Sequence, residues 1–287
     1  MNNSRSLLNI GMIIFLAIFI VIFYNKTNAP DNIQHLSSLS LNEINFIKIS
    51  RADDEDIIFK KEADDTWYMT QPYQLKAHQF RIKTLLNLTQ TPINKIYDIK
   101  DLDLRQYALD APRARITFNK TQIHFGKTNP LSDMRYFLAE GKMSLIADQT
   151  YPLVSAQASS FIDLKLIPDN YPITKIQTPA INIFQSNDTT WSNSQNVTGK
   201  NTLNSDQIQT LLQHWKSAQA FAVHKYLPRK HLGKIEINSH TKILIFHITD
   251  DDPWLILAFP DLGIEYHLDA SQKDLLFGIM PADKIDA

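Results

Sequence analysis

Apolar positions are concentrated in one long run near the start of the chain, before any alternating pattern appears. The run LLNIGMIIFLAIFIVIFY covers residues 7–24 and is interrupted only by Asn9 and Gly11. A helix of this length spans about 27 Å, which is close to the hydrocarbon thickness of a bilayer. The pattern therefore predicts one N-terminal transmembrane helix. The predicted span includes Leu7, Ile10, Ile14, Phe19, Ile22 and Tyr24.

A cleaved signal peptide is the alternative interpretation of this run. The run is long for a signal peptide, and the candidate cleavage motif Thr27-Asn28-Ala29 is followed by Pro30, which hinders cleavage. Arg5 and the amino terminus precede the run, and positive charge before a span favours a cytoplasmic N-terminus. We therefore expect a single-pass protein with an exported body; in a bacterium it would lie in the inner membrane with its body in the periplasm.

After a polar stretch come segments in which apolar and polar residues alternate. Segments with apolar residues at helical spacing lie between them. Alternating strands end at Pro72, and a helix predicted over residues 77–88 places Leu85 and Leu86 on its buried face. Four further alternating segments predict four more strands. Residues 150–166 are predicted to be helical.

The second half of the body shows the same order of patterns. Two strands end at Trp191, and Asn204 followed by Gln207 resembles a capping box at a helix start. Four strands and a short helix over residues 271–278 follow. The predicted buried face of the long helix consists of Ile208, Leu211, Leu212, Trp215 and Ala222.

These parallels predict an α+β fold of two tandem related units, each an antiparallel β-meander packed with an amphipathic helix. Shared marker residues recur in the second unit, and the distance in sequence between a marker and its counterpart grows slowly along the chain. Small loop insertions in a duplicated unit would produce this growth. The alternative is chance recurrence, because any α+β protein can show the same order of elements. The markers are Trp67, Pro72, Leu85, Leu86, Pro112, Gly126 and Tyr136 in the first unit and Trp191, Leu211, Leu212 and Tyr266 in the second. The predicted boundaries are an anchor at 1–25, a polar linker at 26–43, and units at 44–167 and 168–287.

Composition narrows the possible functions. Lysine and arginine total 29 against 30 aspartate and glutamate, and without a basic cluster no nucleic-acid partner is expected. The absence of cysteine excludes disulfides and thiol chemistry. None of the 9 histidines forms a zinc-protease pattern, so we expect scattered surface histidines and no metal site.

No motif points to catalysis. The chain has no nucleophile elbow, and its 7 glycines form no phosphate-binding loop. We therefore expect no catalytic residues and no cofactor. Trp67 and Trp191 could form aromatic ligand platforms, but each is predicted at a strand end before a helix, where packing over the seam is the commoner role.

The segments YALDAPRARITF and IHFGKTNPLSDMRYFLAEGKMSLI resemble a bacterial family known as domain of unknown function 4340, mainly over residues 45–165. The matching positions are Leu109, Pro112, Gly126, Arg135, Tyr136 and Phe137. Ala108 stands where the family usually has glycine. The resemblance implies an inner-membrane anchor, an extracytoplasmic body and genes beside ABC-transporter components of the gliding-motility type. It carries over no catalytic residue.

Together these observations predict a non-enzymatic envelope protein that contacts the lipid bilayer through its first helix. Its body is expected to bind a protein partner, with ABC-transporter components suspected. One alternative is a binding protein or hydrolase for glycan or lipid-linked material that uses a cleft between the units. Another is a scaffold subunit of a secretion or pilus machine.

Overall fold

The computed structural model describes residues 12–20, 34–93, 95–186, 190–194 and 202–279. Residues 12–20 form helix α1, and all of their side chains are exposed, including Ile14 and Phe19. The other predicted span residues, Leu7, Ile10, Ile22 and Tyr24, lie outside the described residues. Within the part of the chain that the structure describes, no helix is both long and apolar enough to span a membrane.

Among the described residues of the first half, nine antiparallel strands form one sheet and two short strands form a second pairing. The strands are β1 (Gln34–His35), β2 (Phe46–Arg51), β3 (Asp54–Lys61), β4 (Trp67–Gln71), β5 (Leu75–Lys76), β6 (Pro92–Ile93), β7 (Ile96–Asp98), β8 (Ala114–Phe118), β9 (Thr121–Thr128), β10 (Met134–Ala139) and β11 (Lys142–Ala147). The order across the first sheet is β5-β4-β3-β2-β8-β9-β10-β11-β7, and β1 pairs with β6.

In the described residues of the second half, eight antiparallel strands form the second sheet. They are β12 (Lys175–Gln177), β13 (Asn182–Gln185), β14 (Trp191–Asn193), β15 (Ala222–Lys225), β16 (Gly233–Asn238), β17 (Ile243–Asp250), β18 (Trp254–Phe259) and β19 (Ile264–Asp269). Their order is β14-β13-β12-β16-β17-β18-β19-β15. The predicted α+β class with antiparallel sheets is confirmed, and strands dominate.

The two sheets follow the same order of connections. Each begins with three antiparallel strands, after which the chain passes through a helix and an edge strand that pairs with the last strand of the sheet. A four-stranded meander then closes the sheet, and its first strand pairs with the first strand of the opening meander. Strand β5 of the first sheet has no counterpart among the described residues of the second. We call the two sheets with their helices the first and second units.

Four helices besides α1 lie in the described chain: α2 (Gln79–Asn87), α3 (Tyr151–Val154), α4 (Ser205–Ser217) and α5 (Gln272–Phe277). The helix predicted over 77–88 and the short helix predicted over 271–278 are confirmed as α2 and α5 within the uncertainty of helix ends. Helix α4 starts with the predicted capping box, in which Gln207 N–H donates to Asn204 Oδ1 at 2.9 Å and Asn204 N–H donates to Gln207 Oε1 at 3.0 Å.

The predicted buried face of α4 is correct for four of its five residues. Ile208, Leu211, Leu212 and Trp215 are buried. Ala222 is not in the helix: it opens strand β15. The helix ends at Ser217 because the following backbone is drawn into extended pairing with the segment that joins the two sheets.

The helix predicted over residues 150–166 is wrong. Helix α3 covers four residues of that range, and a 3-10 turn, Ala158–Phe161, covers four more. The rest consists of turns, bends and isolated bridges, and its apolar side chains Ile162 and Leu166 are buried in the core. Tertiary packing therefore overrides the local helical pattern.

The segment 161–166 joins the two sheets and is hydrogen-bonded on both sides. His78 N–H, beside the first sheet, donates to Phe161 O at 2.7 Å. Ala220 N–H, beside the second sheet, donates to Leu164 O at 2.8 Å. Buried apolar side chains of both sheets belong to one contiguous core cluster. We call residues 161–170, which continue along the groove between the sheets, the connecting segment.

Part of the predicted polar linker, residues 26–43, packs on the first unit. Strand β1 pairs with β6, and the side chain of Leu36 is buried. The Ser37 and Ser38 hydroxyls donate to Glu140 Oε1 at 2.8 and 2.9 Å. From residue 34 onward the chain is therefore fastened to the hairpin between β10 and β11.

Candidate functional site

A cleft of about 540 Å³ lies between the two sheets. One side is formed by Tyr68 of β4 with Leu75 and Lys76 of β5, and the connecting segment forms the wall. The opposite side comes from β17, the end of β18 and β19 of the second sheet. We call this cavity the inter-sheet cleft. Its volume lies in the range of small-molecule and peptide pockets.

The side of the cleft next to the second sheet is apolar. Leu244 and Tyr266 are buried, and Phe259 and Leu262 are half-buried and packed against the core. Burial raises the pKa of the Tyr266 phenol, so this hydroxyl stays protonated across the physiological range. The cleft therefore offers an apolar surface with an aromatic component.

The opposite rim is charged, and its two lysines, Lys76 and Lys165, are paired with aspartates of the connecting segment. Lys76 Nζ lies 2.7 Å from Asp169 Oδ2 and 3.3 Å from Asp163 Oδ2. Lys165 forms a second ion pair with Asp169. Hydrogen bonds from Lys165 and then Lys76 lower the pKa of Asp169 to about 2, and the bond to Asp169 raises the pKa of Lys76. Asp169 and Lys76 are therefore both ionised near neutral pH.

A second cavity, of about 390 Å³, lies at the residues that carry the family resemblance. It is lined by Ala108, Arg113, Phe125, Gly126, Lys127, Thr128, Arg135 and Tyr151. We call it the motif pocket.

Close packing explains why a glycine stands at position 126 and how the side chain of Arg135 is held. A Cβ on Gly126 would come within 2.5 Å of Tyr107 O, so no larger residue fits there without a shift. Arg135 Nη1 donates to Gly126 O at 2.6 Å, and Arg135 Nε is paired with Asp148. The rings of Tyr107 and Tyr136 meet edge to face at 4.8 Å.

Ala108, where glycine is usual, ends a 3-10 turn in the left-handed region with φ 55°. An alanine adopts this conformation at a cost of about 1–2 kcal/mol, and the turn keeps its geometry because the N–H of Ala108 donates to Arg105 O.

The tryptophan markers lie at corresponding places, but not at the predicted ends of strands. Trp67 is the first residue of β4, and Trp191 is the first residue of β14. Trp67 is buried, and Trp191 is half-buried against the core. Pro72 directly follows β4. Both tryptophans therefore pack against the core rather than forming an open ligand platform.

The leucine markers of the two helices also face the core. Leu85 of α2 and Leu211 of α4 are both 0% exposed. Leu212 is buried as well, whereas Leu86 is half-buried.

The remaining markers fit less well. Pro112 lies two residues before β8, in the loop beside the motif pocket. Tyr136 lies in β10, whose counterpart by sheet order is β18, but Tyr266 lies in β19. The pairing of these two tyrosines as equivalents is therefore wrong. The error arose because a Tyr-x-Leu pattern on a strand does not specify which strand of a meander carries it.

The expectation of scattered histidines fails on the second sheet. The rings of His224 and His267 lie 4.5 Å apart, and those of His231 and His247 lie 4.2 Å apart. Glu265 is buried beside His267 and lies opposite His224 in the strand pairing. Its Oε1 lies 2.9 Å from His267 Nε2 and its Oε2 lies 2.9 Å from an arginine, Arg229.

One signal for this cluster was present in the sequence. Glu265 and His267 are two residues apart in a strand, so alternation places them on one face. The register that sets His224 opposite Glu265 was not readable. Among the described residues no group of three or more metal-ligating side chains is arranged to hold a metal ion.

Fold and site together define an antiparallel two-sheet α+β protein whose units enclose a charged, partly apolar cleft. The chain matches the model of the family described as Domain of unknown function (DUF4340) over residues 67–234. The match covers more than half of the chain, so the protein belongs to this family and the resemblance is confirmed. No curated protein and no solved structure matches the chain.

The extent of the match differs from the expected 45–165. It starts at Trp67 in β4 and ends in β16 of the second sheet. The family region therefore contains the connecting segment and the ion pairs of the cleft, with the motif pocket.

Proposed function

We propose that this protein is a non-enzymatic, single-pass component of the bacterial inner membrane whose periplasmic body binds a partner protein in the inter-sheet cleft. An ABC-transporter-type or other envelope complex is the partner class. The observation that carries the proposal is the cleft itself, because both sheets and the connecting segment build it together. A segment seated there contacts both units at once.

The apolar start of the chain supports the membrane anchor. Residues 7–24 are apolar apart from two positions, and every side chain of 12–20 is exposed. A helix that is apolar all round and exposes its side chains is suited to a hydrophobic environment, which lipid supplies.

The electrostatics of the cleft support binding rather than catalysis. A general acid or base needs a pKa near the working pH. Hydrogen bonds from Lys165 and then Lys76 lower the pKa of Asp169, and the hydrogen bond to Asp169 raises the pKa of Lys76, so both values lie away from neutrality. Paired, ionised groups suit recognition of a polar partner segment by exchange of ion pairs.

We also infer that the two units arose by duplication. The common order of connections, in which opening meander, helix, edge strand and closing meander recur, supports this. The markers Trp67 and Trp191 open corresponding strands, and Leu85 and Leu211 lie on corresponding helices.

Site-specific crosslinking in native membranes tests the proposed function. A photoreactive residue at Gln74, on the exposed rim of the cleft, is expected to capture a discrete membrane-protein partner. The same residue at Gln209, on the exposed face of α4, is the matched control and is expected to capture none. Equal capture at both positions, or capture at neither, contradicts the proposal.

Reporter fusions after residue 287 test the orientation. An alkaline phosphatase fusion is expected to be active, and a cytoplasm-dependent fluorescent fusion is expected to be dark. The opposite pattern contradicts a periplasmic body.

A second candidate, binding of glycan or lipid-linked material in the same cleft, is favoured by the apolar side with Phe259 and Leu262. The two candidates separate on the purified full chain. Saturable binding of an envelope glycan fragment that Gln74→Trp abolishes favours the ligand, whereas a crosslinked protein at Gln74 favours the partner.

A further inference from the structure

We propose that the motif pocket binds a small phosphate-bearing molecule. This site is separate from the inter-sheet cleft: it lies at the end of β9 and the start of β10 in the first sheet. The proposal does not depend on what occupies the cleft.

Charge is the first argument. Arg113, Lys127 and Arg135 line the pocket, and no carboxylate is among the lining residues. In the described part of the chain, Arg113 and Lys127 have no ion-pair partner, and both are exposed. Two cations without counter-ions beside a concave surface attract an anion from solution.

The fixed position of Arg135 is the second argument. Its guanidinium is held by Gly126 O at 2.6 Å, by Asp148, and by the ring of Tyr151 at 3.9 Å from its centroid. Asp148 is in turn fixed by the N–H groups of Thr150 at 3.2 Å and Tyr151 at 2.8 Å. The Arg135 side chain is only 15% exposed. An arginine held in this way binds an oxyanion with little further loss of side-chain freedom.

Shape and wall chemistry are the third argument. A volume of about 390 Å³ exceeds what a lone phosphate ion fills, so an organic group must share the pocket. Buried Phe125 and half-buried Tyr151 supply an apolar wall for that group, and Thr128 adds a hydroxyl. An organic phosphate matches this combination of cations and apolar wall.

The corresponding hairpin of the second unit has the opposite charge. There the strands β17 and β18 are joined through Asp250, Asp251 and Asp252, whereas Lys127 and Arg135 lie at the hairpin of β9 and β10. The cationic pocket is therefore a property of the first unit and not of the shared architecture.

Titration of the full chain in detergent with glycerol 3-phosphate and with inorganic phosphate tests the proposal. The double variant Arg113→Ala/Lys127→Ala changes two exposed side chains and is expected to weaken glycerol 3-phosphate binding by about tenfold or more. The matched control Lys83→Ala/Lys230→Ala, also exposed, is expected to bind within about twofold of the wild type. Equal unfolding midpoints of all three proteins exclude loss of fold.

Two results would overturn the proposal: no saturable binding of either phosphate probe by the wild type, or equal binding by the double variant and the wild type. The same titration in phosphatidylglycerol and phosphatidylcholine nanodiscs identifies the source of the ligand. Weaker glycerol 3-phosphate binding in phosphatidylglycerol means that a lipid headgroup competes for the pocket. Binding in both lipids that equals the binding in detergent means that a soluble organic phosphate is the ligand.

Discussion

In the first unit, a side chain of the helix holds the backbone of the preceding strand. Gln79 of α2 accepts from Trp67 N–H at 3.1 Å and donates to Trp67 O at 3.0 Å. In the second unit the direction is reversed. Asn193 of β14 accepts from Leu203 N–H at 2.9 Å and donates to Leu203 O at 2.8 Å. In both units one side-chain amide links the strand to the start of the helix. In the first unit the helix supplies this amide, and in the second unit the strand supplies it.

The helices themselves differ more. Helix α4 has 13 residues, a capping box and four buried side chains. Helix α2 has 9 residues, no side-chain cap and two buried side chains. In the described residues, the second unit therefore places more buried side chains on its helix than the first unit does.

The largest expected effect comes from truncating the equivalent buried leucines of the two helices. Leu85→Ala and Leu211→Ala each remove a fully buried leucine and are expected to cost about 2–5 kcal/mol of unfolding free energy. Because the core is one cluster, each variant is expected to shift a single urea transition. Circular dichroism and tryptophan fluorescence measure it.

Phe80→Ala, whose side chain is 73% exposed on α2, serves as the control and is expected to change stability by less than about 0.5 kcal/mol. Two separate transitions, with only one displaced by each leucine variant, would show that the units fold independently.

The next largest effect concerns the glycine of the motif. Gly126→Ala forces a Cβ to 2.5 Å from Tyr107 O and is expected to cost about 1–3 kcal/mol. Gly233→Ala in the second unit is the matched control, because its Cβ meets no atom closer than 3.4 Å. The thermal unfolding midpoints of both variants measure this difference in stability. Equal midpoints would contradict the close packing at the motif pocket.

Substituting the N-cap residues is expected to change the unfolding free energy by a smaller amount, and differently in the two helices. Asn204→Ala removes the side-chain acceptor of the Gln207 N–H and is expected to cost about 1 kcal/mol. His78→Ala at the N-cap of α2 removes no side-chain cap bond and is expected to lie within about 0.5 kcal/mol of the wild type. Denaturant midpoints measure both, and a larger loss for His78→Ala would refute the contrast.

The smallest effect is pH-dependent and lies in the cleft. Lys165 and Lys76 hold the pKa of Asp169 at about 2, below its ordinary value of 3.8. A lowered carboxyl pKa adds stability above the unfolded value, and this contribution is lost as the pH falls from about 3.8 through 2.

Because the Asp169 side chain is 48% exposed, Asp169→Asn is expected to cost at most about 1 kcal/mol at neutral pH and nothing below pH 2. Asp101→Asn, which removes an exposed carboxylate without an ion pair in the described chain, is the control. Stability measured against pH for both variants tests the sign. A cost for Asp169→Asn that grows in acid rules out this ion-pair account.

Local patterns predicted much of this molecule. The capping box at Asn204 and the alternating strands after Ala114 and Gly233 depend on neighbours in the sequence, and they were readable. The pairing of β2 with β8 and of β12 with β16 was not readable, because alternation shows which face is buried and not which strand lies alongside.

The candidate sites were harder to predict from the sequence than the fold was. That a site would lie between the units was an expectation from the repeat, but Lys76 and Asp169 are 93 positions apart and only the fold brings them together. The short edge strands β5, β7 and β15 carry too few residues for a periodic signal. The strand at Leu75–Lys76 supplies one wall of the cleft, so missing it hid the site.

The connecting segment has a mechanical consequence. Its backbone is hydrogen-bonded to the neighbours of both sheets, through Phe161 on one side and Leu164 on the other. A pull on the N-terminal end of the first unit reaches the second sheet through these bonds and the shared core. We therefore expect the two sheets to move together, so that a displacement of the first sheet carries the cleft with it.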